Sequence, residues 1–153
     1  MPLTPWSFDQ EFIGWRSLDD ILIQIDLIES YLRDHSISPM RWNPYVYSFK
    51  QKIHPYLLYF HLGQCYVEVN DLQKGKDALN QSFKDFELDD LNTALWNNYV
   101  EAWVYYTEGS FYGIECCYEY SIPYKEYPIA NNDWILKLKV ALEKNVNPFC
   151  LTD

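Results

Sequence analysis

Apolar residues recur at the period of an α-helix along almost the whole chain, and that one pattern removes most folds. Leu18, Ile21, Leu22, Ile25, Ile28 and Leu32 stand three or four residues apart, while Asp19, Asp20, Asp26, Glu29 and Asp34 fall mostly on the other side. This spacing predicts an amphipathic helix over about 17–35, opened by a capping box at Ser17-Leu18-Asp19-Asp20 and broken by His35-Ser36-Ile37-Ser38-Pro39. A shorter helix over residues 6–15 would pack Trp6, Phe12 and Trp15 onto the body. Pro44 is placed to open another, with Tyr45, Val46, Phe49 and Ile53 in register.

The same period continues. Leu57, Leu58, Phe60, Leu62, Cys65, Tyr66 and Val69 outline a helix over 56–69, and Asn70-Asp71 makes a turn. Leu72, Gly75, Leu79, Ser82, Phe83 and Phe86 outline the next helix. A long helix over about 90–107 carries Leu91, Leu95, Trp96, Tyr99, Ala102, Trp103 and Tyr106 on its periodic face. Residues 110–120 read as helix and 121–130 as loop, because Pro123 and Pro128 fall there. Asn132 is expected to cap a last helix with Ile135, Leu138 and Leu142 inward. No alternating strand pattern competes, and Gly is only 5 of 153 residues, too few for a turn-dense β fold or a Gly-rich phosphate cradle. The expected fold is all-α, a helical-hairpin array or irregular bundle, in a single domain over residues 1–153.

Residues 60–83, FHLGQCYVEVNDLQKGKDALNQSF, carry a more specific pattern. Leu62, Gly63 and Tyr66 lie on one helix, Asn70-Asp71-Leu72 at a turn, and Gly75, Leu79 and Ser82 on the next. This resembles a tetratricopeptide repeat, in which small residues let two antiparallel helices approach closely. A weaker echo lies 39 residues on: Ala102, Tyr105, Gly109-Ser110-Phe111, Ile114, Tyr118 and Ser121 follow in the same order. Ile114 is large for its position, and the spacing exceeds the usual ~34 residues of the family, requiring an insertion near 85–90. The resemblance implies stacked helical hairpins that bind proteins.

Charge narrows the partner. The chain bears a formal charge of −10, which repels nucleic acid and anionic membranes. Between Asp85 and Tyr124 there is no Lys, Arg or His, only Asp85, Glu87, Asp89, Asp90, Glu101, Glu108, Glu115 and Glu119. Trp96, Trp103 and seven tyrosines share the stretch. Carboxylates speed encounter with positive proteins and select them, and amphipathic aromatics supply anchors. The candidate partner-binding residues are therefore Asp89, Asp90, Glu101, Trp103, Tyr105, Glu108, Tyr112, Glu115 and Glu119.

Chemistry has little purchase on this sequence. HExxH, GxSxG, P-loop and GxGxxG motifs are absent. His61 and Cys65 are four apart on one predicted helix, but no second pair completes a set of ligands, so no metal and no cofactor are expected. Cys65, Cys116, Cys117 and Cys150 fit no CxxC pairing, which favours reduced thiols. No stretch reaches the ~18 apolar residues that span a bilayer. The start, MPLTPWSFDQEF, lacks the basic and apolar regions of a secretory signal, and the chain is expected to stay in the cytoplasm.

The expected function is non-enzymatic: binding and masking a basic protein, such as a toxin or nuclease-like effector. Small acidic aromatic-rich chains of this type are similar to bacterial immunity proteins. Two other readings share the acidity. One is a phage-encoded inhibitor, an anti-CRISPR protein or nucleic-acid mimic, with a broader and less aromatic charged face. The other is a tetratricopeptide adaptor or chaperone with a concave groove.

Overall fold

Helix boundaries in this protein are set by backbone hydrogen bonds that need a partner at each end. The computed structural model describes residues 18–33, 55–84 and 90–151. Among these residues the elements are six α-helices and no strand: α1 (Leu18–Arg33), α2 (Pro55–Glu68), α3 (Leu72–Leu79), α4 (Leu91–Glu108), α5 (Phe111–Ser121) and α6 (Asn132–Lys144). Single 3₁₀ turns follow at Ile122–Tyr124, Pro128–Ala130 and Pro148–Cys150. The all-α expectation holds. The helices expected over 6–15 and about 44–53 lie outside the described residues.

Each helix packs on the next in chain order, and α2–α3 and α4–α5 form two tight hairpins. Their junctions match atom for atom across the 39-residue interval. Asn70 and Gly109 both take left-handed backbone, with φ of 65° and 71°. The next amide reaches back to a tyrosine carbonyl in each case, Asp71 to Tyr66 at 2.8 Å and Ser110 to Tyr105 at 2.9 Å. Asp71 then caps α3 by accepting from the Lys74 amide, and Ser110 caps α5 by accepting from the Gly113 amide. Ser82 and Ser121, both buried, donate to the carbonyls of Leu79 and Tyr118. The same closure recurs a third time after α6, where Asn145 has φ 55° and the Val146 amide reaches the Ala141 carbonyl.

Close approach in the first hairpin comes from missing side chains. A Cβ on Gly63 would stand 2.6 Å from Leu79 Cγ and 3.2 Å from the Gly75 carbonyl oxygen. In the second hairpin the residue that permits approach is Gly113 rather than Ile114, because a Cβ there would run into the Tyr105 ring. Ile114 is fully buried beside it.

Two helix limits differ from the sequence reading. The helix expected to run through Phe86 stops at Leu79. The backbone beyond it is claimed by α4: Trp96 Nε1 donates to the Ser82 carbonyl at 2.8 Å, and the Asn97 amide pairs with both the N–H and the C=O of Lys84. Tertiary partners thus replace the helical ladder. At α6 the cap position belongs to Asn131, in left-handed conformation, while Asn132 is already helical and donates to Ser121 Oγ.

The core is an aromatic row linking α2, α4 and α6. Phe60 stands 4.9 Å from Trp96 and 5.1 Å from Tyr99, centroid to centroid, and Trp103 stands 5.8 Å from both Trp134 and Phe149. Edge and tilted contacts of this kind suit the ring quadrupoles. The last turn is tied back to the first hairpin. Asn147 Nδ2 donates to the Val67 carbonyl at 2.9 Å and to Asn70 Oδ1 at 3.1 Å, and Tyr106 Oη donates to the Val146 carbonyl. No described helix is long and apolar enough to cross a membrane.

Candidate partner-binding face

α4 is buried on most sides, so few of its positions can meet a partner. Glu101, Tyr105 and Glu108 form its outward stripe, at the i, i+4, i+7 spacing of one helix face. Glu101 accepts a hydrogen bond from Tyr105 Oη at 2.9 Å, and that bond together with the carboxylate's charge pushes the phenol up to about 12. Tyr105 therefore stays a neutral donor, its ring packed over Gly113 of α5. Asn98 donates to the Cys117 carbonyl at 3.0 Å and closes the same seam lower down.

α5 supplies the second stripe. Tyr112 is 77% exposed and shares a face with Glu115, Cys116 and Glu119, at i+3, i+4 and i+7. The Cys116 thiol against its hydroxyl raises the Tyr112 phenol, and the charges of Glu119 and Glu115 add to the effect. Cys117, on the inner side, is pushed up to about 12 by burial first and by Glu101 second, which leaves it an unreactive thiol. Five of the nine residues expected from the sequence thus stand on the outward sides of two neighbouring helices, Glu101 and Tyr105 on α4 and Tyr112, Glu115 and Glu119 on α5.

The other four do not add an unpaired carboxylate or an anchor to these stripes. Trp103 was expected as an anchor, but it is 0% exposed and wedged among Phe60, Tyr99, Trp134 and Phe149. It belongs to the core, where the helical periodicity of α4 points it, and no partner can reach it. Glu108 is not an unpaired carboxylate: Lys76 of α3 holds it at 3.1 Å. Asp90 caps α4 by accepting from the Thr93 amide at 2.6 Å, which keeps its carboxyl below the usual range. Asp89 lies outside the described residues. Among the described residues no base pairs with Glu101, Glu115 or Glu119.

The sequence reading missed a continuation of this surface. Tyr120, Tyr124 and Tyr127 follow one another at centroid distances of 6.0 and 6.1 Å, and Tyr120, Ile122 and Tyr127 are all exposed. They stand at i, i+4 and i+7, a helical spacing, but Pro123 and Pro128 mark the stretch as loop in the sequence, and it is the 3₁₀ turn at Ile122–Tyr124 that keeps the rings in line.

His61 and Cys65 sit in a different place, an interior polar cluster between α1 and α2. His61 Nε2 lies 2.6 Å from Gln24 Oε1, and Cys65 Sγ lies 3.5 Å from the same ring nitrogen. Among the described residues no three His, Cys, Asp or Glu side chains converge as metal ligands would. Burial drives the His61 pKa well below its ordinary value, opposed only by the nearby Gln64 side chain. The unfolded chain takes up a proton near pH 6.5 and the folded chain does not. Stability is therefore full above about pH 6.5 and falls as the pH drops below it, by up to ~1.4 kcal/mol per pH unit. Urea unfolding at pH 7.5 and 5.5 should show a loss of about 1 kcal/mol, and His61→Gln should flatten that slope.

No protein-family model, curated protein or solved structure matches this chain.

Proposed function

We propose that this chain is a non-enzymatic, tetratricopeptide-like binding module of the cytoplasm that neutralises a basic protein, as an immunity protein does its cognate toxin. One observation carries the reading: among the described residues Glu101, Glu115 and Glu119 have no basic partner, and they stand on the same two helices that present Tyr105 and Tyr112. Unpaired carboxylates gain most from a positive partner, and exposed tyrosines add area at low entropic cost. The matched junctions of the two hairpins support the repeat-like part of the reading. The reading assigns binding without turnover or cofactor, and neither nucleic acid nor a membrane as partner, given a charge of −10. An inhibitor that mimics nucleic acid needs a charged face with fewer aromatics, so the tyrosines favour the protein-binding reading over it.

The test is association with the product of the adjacent gene, measured for wild type and for Glu101→Lys/Glu115→Lys/Glu119→Lys. Glu108 is kept, because reversing it would set a lysine against Lys76 and confuse folding with binding. The variant should associate about tenfold more slowly or worse at low salt, and the difference should shrink as salt screens the face. Thermal unfolding should change little, since exposed substitutions usually shift stability by about 0.5 kcal/mol or less each. A folded variant that binds as fast and as tightly as wild type would remove this face from the interface.

A further inference from the structure

The described lysines mark what the aromatic surface accepts. Lys74 lies over the Tyr66 ring, Lys84 over Tyr56, Lys137 over Trp134, and Lys139 over both Phe111 and Tyr118, at 4.8 to 5.7 Å from the centroids. Buried and half-buried rings are therefore capped repeatedly by a cation from within the chain. Tyr112 and Tyr120 are not, among the described residues, although both are exposed and flank Glu119. Tyr112 also has Glu115 one turn ahead of it on the same face.

We infer that the outward face of α5 receives arginine side chains of an extended basic segment, with one guanidinium on Tyr112 between Glu115 and Glu119 and the segment continuing along Tyr120, Tyr124 and Tyr127. The inference rests on the protein-binding reading above and specifies its chemistry. A guanidinium stacks flat on a phenol ring while its N–H fork bonds carboxylates at the ring's edge, and an ammonium cannot do both. The Tyr112 hydroxyl reaches forward to Cys116 at i+4, where the charges of Glu119 and Glu115 both act on it, so the ring lies along the helix between the two carboxylates. The tyrosines beyond are spaced by about 6 Å and offer further π-faces in a row. Bare negative charge would accept lysine and arginine equally, so the inference makes a distinction that charge alone does not.

The test uses the full chain with two labelled peptides, glycine-spaced arginines and the lysine twin of equal charge, titrated by anisotropy at physiological salt. Cys116 gives a local readout. It is exposed on the same face, and in a Cys150→Ser background it is the one exposed thiol, since Cys65 and Cys117 are buried. The arginine peptide should bind about five- to tenfold tighter than its twin and slow the alkylation of Cys116. Tyr112→Ala should erase the arginine preference while leaving lysine-peptide affinity nearly unchanged. Equal affinity for the two peptides, or a preference that survives Tyr112→Ala, would overturn the inference. If Glu115→Gln/Glu119→Gln still weakens both peptides in that event, the acidic interface stands without arginine selectivity. Peptide binding that ignores those changes and leaves Cys116 unprotected would overturn both.

Discussion

Trp103→Ala should cost this protein about 3–5 kcal/mol, the range for removing a fully enclosed indole. Trp103 joins three elements at once: Phe60 of α2, Trp134 of α6 and Phe149 of the last turn all meet it. Its indole N–H has no hydrogen-bond partner among the described residues, so little polar compensation is lost and the cost is cavity and contact. Domains of this size are held by only about 5–15 kcal/mol, so the variant should lose a large part of its stability. Chemical unfolding gives the number. A midpoint unchanged within error would mean that the aromatic row is not the core. Any binding defect of Trp103→Ala should be read as a folding defect, and it would vanish when scaled to the folded fraction.

Gly63→Ala sets two effects against each other. Alanine is the better helix former by about 1 kcal/mol. The new methyl, however, would stand 2.6 Å from Leu79 Cγ and 3.2 Å from a backbone oxygen. Leu79 is itself fully buried, and the atom met is its branch point rather than a free end. Neither neighbour can step aside cheaply, so the clash should win. We expect Gly63→Ala to destabilise, and Gly63→Leu to do so by about 1–3 kcal/mol or more through overpacking. Differential scanning calorimetry should show the order wild type, Ala, Leu in falling Tm. A stabilised Gly63→Ala would mean that α2 and α3 sit farther apart than described.

Sequence periodicity is a good guide here where a helix keeps one face buried, and a poor one where backbone is captured from a distance. α1, α2, α4 and α6 fall close to where their apolar spacing puts them, and so does the α2–α3 hairpin with its paired glycines. The early stop of α3 was not legible, because Trp96 and Asn97 reach the backbone beyond it from 14 and 13 residues away in sequence. Asn97 and Asn98 carry no signal in the sequence, yet one clamps a crossing and the other a seam. For the candidate face, charge counting along 85–124 brought out Glu101, Glu115 and Glu119 but ignored bases from outside that window. Lys76 then neutralises Glu108, a pairing across 32 residues. Trp103 fails as an anchor for a reason the sequence did contain, since it lies on the inward period of its own helix.

Asn147 has a consequence for how the molecule comes apart. Stacked hairpins ordinarily touch only their neighbours, so they melt from the ends and lose one unit at a time. Here a side chain after the last long helix grips the bend of the first hairpin, 77 residues back. Releasing the last turn must break a contact with the α2–α3 hairpin, and opening that hairpin must break a contact with the last turn. From the α2–α3 hairpin to the last turn the stack therefore shares one fate, and a protease or a rise in temperature meets that span as one cooperative unit.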